Sequence, residues 1–330
     1  MVMSRTVVIR SALPFLAVLL TAVPAIRLAG APVRASNDFG VNIAFFGDAD
    51  KQAAMMAAAG ISWVRVDLAW NVAEPEAGQY DFSSWDRFVD AFEPRGIRVL
   101  FILDYGNRLY EGGLPPSTPS GRAAFAAYAG AAARHFRGRA AWEIWNEPNL
   151  PQFWAGSPDP AGYVALARAA AAEIRREDRR ASILGPALGG ATFDYAYLTA
   201  TFNAGLLDIV DAVSLHPYGA TYPEAATAFY DEVRHRIALR APDRDIPVVV
   251  SEWGYPVEGL GTEKQADYLL RAINTNRRSG IPLTIWYNWQ EPINPWHSFG
   301  LLDVHGRPKP AYDALTRQRP DTDRRDPRQP

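Results

Sequence analysis

Between Phe39 and Trp289 the sequence alternates eight times between a short β-branched or aromatic run and a longer stretch with helical spacing of its apolar residues. The short runs are FGVNIAFF, ISWVRVDLAW, IRVLFILDY, AAWEIWNE, ASILGPA, IVDAVSLHPY, IPVVVSEWG and IPLTIWYNW. Stretches such as GRAAFAAYAGAAARHFRG, PAGYVALARAAAAEIRRED and EKQADYLLRAINTNRRSG separate them, and several end in Gly or in a basic turn, as helix C-termini prefer. Strict alternation predicts a parallel sheet, and eight units predict closure into a single-domain α/β fold, the (β/α)8 or TIM barrel. An open doubly wound sheet is the competing architecture. It normally carries a Gly-rich phosphate turn after its first strand, and neither GxGxxG nor GxxxxGK[ST] occurs.

The chain of 330 residues suits one barrel of about 250 residues plus ends. Arg5 and Arg10 precede SALPFLAVLLTAVPAI, a run short for a membrane span, and Val33-Arg34-Ala35 offers a cut before Ser36. Residues 1–35 are therefore expected to be a secretory signal peptide or an N-terminal membrane anchor, 36–316 the catalytic barrel, and 317–330 a disordered tail. The setting implied is secreted or extracytoplasmic, or anchored, with no other integral membrane segment. A net charge of −2 offers no basic surface for nucleic acid. The chain has no Cys, and its five His form no HExxH motif, so neither a metal site nor a cofactor is expected.

In such a barrel the chemistry gathers where the strands end, at the C-terminal face. Asn42, Arg65, Asp67, Asp104, Asn146, Glu147, His216, Tyr218, Glu252 and Asn288 all fall there. Glu147 closes the fourth run and Glu252 the seventh, so a barrel brings them to one cleft although about a hundred residues separate them. Two carboxyl groups across a sugar are what glycosidic cleavage needs: one protonates the departing oxygen and the other meets the charge that develops at the anomeric carbon. A carbohydrate substrate is the partner this implies. Retention would set the carboxyls about 5–5.5 Å apart, whereas a gap near ~8 Å would fit inversion.

The motifs WEIWNEPN, SLHPYG, VVVSEWGYP, VRVDLAW and FGLLDVHGRPKPAYDAL resemble those of the retaining glycoside hydrolases of clan A, most closely family 39 and its neighbours. The resemblance spans about residues 38–316. It implies that Glu147 is the acid/base, Glu252 the nucleophile and Asn146 the partner of the substrate 2-hydroxyl. It further implies that Arg65 lies near the nucleophile, that His216 and Tyr218 border the reacting sugar, and that a strand-eight tryptophan, Trp286 or Trp289, forms a sugar floor. The substrates it suggests are β-linked: xylosides, glucuronic-type sugars or exopolysaccharides.

Plainer readings stand beside these. Glu143, in mid-strand, reads as a buried carboxylate paired with Arg65 or water, and Arg65 could be only its counter-charge. Asn146-Glu147-Pro148 could be a helix start, although the matching Glu252 argues against that. Trp145, Trp253, Trp286 and Trp289 could stack on sugars or simply pack the rim. At the level of function, the alternatives to a hydrolase are a barrel that binds carbohydrate without turnover, or a transglycosylase.

Overall fold

A computed structural model describes residues 38–44, 47–293 and 297–318. The expected leader, residues 1–35, and nearly all of the expected tail, 319–330, lie outside the described residues. Eight parallel strands close into a barrel in sequence order, β1 pairing with β8. They are β1 (Asp38–Asn42), β2 (Trp63–Ala69), β3 (Arg98–Asp104), β4 (Ala140–Ile144), β5 (Ile183–Leu188), β6 (Ala212–Leu215), β7 (Val248–Trp253) and β8 (Leu283–Trp286). The outer helices are α1 (Ala49–Ala58), α3 (Ser83–Phe92), α4 (Pro119–His135), α6 (Pro160–Glu177), α7 (Tyr195–Asn203), α8 (Ala226–Ala238), α9 (Thr262–Arg278) and α10 (Pro310–Arg317). Two single turns, α2 (Trp70–Ala73) and α5 (Pro151–Trp154), were not expected from periodicity, being too short to display one.

Helix starts follow local chemistry. Thr118 and Asp159 cap α4 and α6 by accepting from Gly121 N and Ala161 N, each with proline in the next position, where the missing N–H costs nothing. The buried stripes of α4 (Ala126, Ala129, Gly130, Ala133) and α6 (Ala167, Ala170, Ala171) are small, which lets the two helices approach closely.

The barrel interior changes character along its axis. Near the strand starts Trp63, Leu100, Ala141, Leu184, Ala212, Val249, Leu283 and Ile285 form an apolar layer, with a residue from every strand except β1. The first strand brings Gly40 to this level, because a Cβ there would lie 2.5 Å from the Ile285 side chain and 2.7 Å from that of Trp63. The tryptophan fills the space that glycine vacates. One step further along, the inward positions of β1, β2, β4, β6 and β7 become Asn42, Arg65, Glu143, Ser214 and Ser251, so the core turns polar there as it nears the C-terminal mouth.

Candidate active site

The centre of the mouth is Arg65, fully buried at the middle of β2. Its Nε donates to Glu143 Oε2 at 2.6 Å, Nη1 to Glu252 Oε2 at 2.8 Å and to Asn42 Oδ1 at 3.2 Å, and Nη2 to Asn146 Oδ1 at 2.8 Å. Burial alone would disfavour its charge, but Glu143 and Glu252 more than restore it, and its pKa moves up. Glu143 behaves reciprocally: burial pushes its carboxyl up, and Arg65, followed by His216, pulls it below its ordinary value. The reading of Glu143 as a paired structural carboxylate therefore holds, and Arg65 is both its partner and that of Glu252.

Glu252 owes its position to an irregularity. The β7–β8 register shifts between Val250 and Trp253, so adjacent residues of β7 both reach the site. Ser251 Oγ lies 3.1 Å from His216 Nε2, while Glu252 is held by Arg65 on one oxygen and by the Tyr218 hydroxyl on the other, at 2.8 Å. Both donors leave the carboxylate partly open, its side chain 13% exposed. The Tyr218 hydroxyl is kept protonated by its burial and by the adjacent charge of Glu252, both of which push its pKa up.

Glu147 does not continue β4 as the alternation suggested. The strand ends at Ile144, and Trp145 (φ 66°) and Glu147 (φ 45°) adopt left-handed backbone, a conformation uncommon for residues with side chains. The bent segment is tethered by Glu147 N donating to Ala187 O (3.2 Å) and by Asn149, whose amide bonds both Gly189 N (3.1 Å) and Gly189 O (2.8 Å). Gly189 has to be glycine, since a Cβ there would fall 1.9 Å from Glu147 Oε1. His216 Nδ1 lies 2.8 Å from that same oxygen. Strained backbone of this kind persists only where its surroundings hold it, and it concentrates at functional sites.

A carboxylate oxygen of Glu147, one of Glu252 and a ring nitrogen of His216 all lie within 4.8 Å of one another. That spacing could suit a cation. The ring nitrogens and carboxylates are, however, already engaged with each other, with Ser251 and with Tyr218, and the buried Arg65 guanidinium already occupies Glu252. A carboxylate oxygen of each glutamate thus faces the other across a short gap at the mouth of the barrel.

The tryptophan expectation needs correction. Trp286 and Trp289 are 0% and 1% exposed, so neither offers a face to a sugar. Strand parity explains the first: Leu283 and Ile285 point into the barrel, which turns Trp286 outward, where it contacts Tyr255 beneath the helices. Trp289 packs edge-on against Tyr312 of α10. Trp145 and Trp253 are buried as well, so rim packing is the right reading for all four. The inward position after Ile285 is Tyr287, half-buried and sharing Phe299 with Tyr218. Burial and the Glu252 charge push its pKa up to about 12. Counting parity from Leu283 would have found it.

Asn146 bridges Arg65 to the Tyr105 hydroxyl, which it reaches at 3.1 Å. Asn288 is buried beside Tyr287. Glu291 and Asp303 are engaged in the loops after β8, Glu291 with Lys309 and Gly300, and Asp303 with Arg307 and His305. A separate cavity of about 500 Å³ opens on the opposite face, where residues such as Arg175 and Asp211 line it and pair at 3.0 Å. It is remote from the two glutamates.

Residues 27–292 match the family model described as Cellulase (glycosyl hydrolase family 5). This chain belongs to that family. It is thereby a glycoside hydrolase of clan A, and its relatives extend to family 39, the side of the clan its motifs resemble. The glycoside hydrolase is 24% identical over 202 residues to a beta-xylosidase of Geobacillus stearothermophilus and 27% identical over 201 residues to one of Caldicellulosiruptor saccharolyticus. Each match covers 53% of this chain and only 40% of the relative's length. A family 39 glycoside hydrolase from the gut symbiont Bacteroides cellulosilyticus WH2 superposes with a TM-score of 0.75 at 27% identity, covering 86% of this chain and 63% of that one. A monomeric beta-xylosidase from Caulobacter crescentus CB15 shares the fold, with a TM-score of 0.69 at 20% identity over 88% of this chain and 69% of that one.

Proposed function

We propose that the protein cleaves β-glycosidic bonds with retention of configuration, and that β-xylosides are its first candidates. The observation that carries this reading is the approach of Glu147 and Glu252 to within 4.8 Å from opposite sides of the barrel mouth. In the first step a Glu252 oxygen bonds to the anomeric carbon, the bond from that carbon to the leaving oxygen breaks, and the Glu147 proton passes to the leaving oxygen. In the second, Glu147 takes a proton from water, the water oxygen bonds to the anomeric carbon, and the ester to Glu252 breaks.

The surroundings support this division of labour. Arg65 and Tyr218 hold Glu252 at a fixed angle without covering it, which suits a nucleophile that must attack along one line. Among the described residues no guanidinium pairs with Glu147; its carboxylate meets the His216 ring, whose nitrogens donate or accept according to tautomer. The beta-xylosidase names of the relatives supply the sugar. We further propose, from the sequence of residues 1–35, that the enzyme acts outside the cytoplasm.

The test is to incubate the protein with a 2-deoxy-2-fluoro β-xyloside carrying a good leaving group, then digest it and find the label by mass spectrometry. A sugar ester on Glu252 is expected. Steady hydrolysis with an inverted first product and no labelled peptide would sink the reading.

A further inference from the structure

Beside the two glutamates lies a second carboxyl pair to which neither the resemblance nor the mechanism gives a task. Asp67 and Asp104 end neighbouring strands, β2 and β3, on the inward face. Asp104 is fully buried, and among the described residues no N–H or O–H donor reaches either of its oxygens. Asp67 is the inward residue diagonally across from it on β2. Of two neighbouring carboxyls, the more buried holds its proton the more tightly. Burial, then the Asp67 charge, pushes Asp104 well above its ordinary value, outweighing Arg65 and reinforced by Glu143.

Asp67, by contrast, is exposed. It is within electrostatic range of Glu252 and of the Tyr287 and Tyr105 hydroxyls, so it belongs to the same cleft. The two sides of the cleft differ. Glu147, His216 and Gly189 line the side toward β4, β5 and β6, where the leaving group is protonated. Asp67 stands on the side toward β2, β3 and β8, facing the sugar that stays on Glu252. Arg65, the cation at the cleft floor, is fully buried and spends its donors on Glu143, Glu252, Asn42 and Asn146.

We propose that Asp67 determines which sugar the cleft accepts: its carboxylate, backed by the Asp104 carboxyl, takes hydroxyl hydrogen bonds from an uncharged glycone and turns away a glycone bearing its own carboxylate. A carboxylate acceptor matches the hydroxyl donors of a neutral pentose or hexose, and hydrogen bonds to a charged acceptor are the stronger kind. A uronate would set like charge against it in a partly desolvated wall. This narrows the substrate range left by the motifs to neutral sugars. It rests on the glycosidase reading for which side of the cleft holds the glycone.

Calorimetric titration of the full chain with the methyl 1-thio-β-glycosides of xylose, glucose and glucuronic acid tests it, since these resist hydrolysis. The wild type is expected to bind a neutral thioglycoside at least about tenfold tighter than the glucuronide. Asp67→Asn should weaken the neutral ligand about tenfold and narrow the ratio between the two. Asp67→Asn/Asp104→Asn, which removes both carboxyls of the pair, should do the same if the first variant folds poorly. Equal affinity of the wild type for glucuronide and neutral sugar, an unchanged ratio in both variants, or binding of none of the three would overturn the proposal. Labelling at Glu252 reports on catalysis and these titrations on Asp67, so the two readings fail separately.

Discussion

The two ends of the barrel each hold an arginine against an acid, and they use it differently. At the strand starts, Arg98 pairs with Asp38 and lies over the Trp63 ring at 4.2 Å, while Trp63 Nε1 also donates to Asp38 at 3.2 Å. The cluster lies against Trp63, which plugs the interior. At the strand ends, Arg65 is buried more deeply and holds Glu143 out of solvent, yet Glu252, its other acid, stays 13% open, as does Glu147 beside it at 9%. A polar cluster whose members satisfy one another closes a barrel end. One whose carboxylates stay partly open to solvent is a place for another molecule to complete.

That contrast can be broken in four ways. The largest effect is expected from Glu252→Gln, which should lower kcat on aryl β-xylosides by about 10³-fold or more while leaving the thermal transition near that of the wild type. Burst and steady-state kinetics beside a melting curve would check both halves. Arg65→Met should abolish activity and also cost about 3–5 kcal/mol of stability in urea, because Glu143 remains buried without its counter-charge. If Arg65→Met proved as stable as the wild type, the view of Arg65 as a structural centre would be wrong.

Asp104→Asn concerns pH. A carboxyl whose folded pKa lies above its unfolded value keeps its proton in the folded chain after the unfolded chain has lost it. Its contribution is complete below the unfolded value of about 3.9 and is lost as pH rises toward the folded one. Subtracting the variant's stability from that of the wild type at each pH should give a difference that falls as pH climbs from about 4. A flat difference would show that Asp104 is not protonated. The smallest effect is expected at the other end: Arg98→Met should cost only about 1 kcal/mol, since the pair is partly solvated and Asp38 keeps Trp63, with kcat/KM unchanged. A large loss of activity there would erase the distinction between plug and site.

The barrel and its polar rim were legible because both follow from repetition: eight strand-helix units force closure, and closure puts strand ends together whatever lies between them. Glu147, Glu252, Arg65, Asn146, His216 and Tyr218 could therefore be placed in one cleft from sequence order. What repetition does not carry is the conduct of the chain where the ladder stops. Trp145 and Glu147 turn left-handed, β7 shifts its register at Glu252, and β8 aims Tyr287 rather than Trp286 inward. Each depends on one or two residues of local geometry that a periodic pattern averages away. Asp67 and Asp104 stood among the strand-end polar residues, but only the full burial of Asp104 beside an exposed Asp67 distinguishes them from two solvated aspartates.

Arg65 touches β1 through Asn42, β4 through Glu143 and the adjoining Asn146, and β7 through Glu252. Its flat guanidinium thus serves as a gauge block between the walls of the mouth, fixing where Glu252 stands relative to β1 and β4. Glu147 is set by the short segments just past β4 and β5 instead. Exchanging the loops farther out on the rim should retune which ligand fits while the two glutamates keep their spacing.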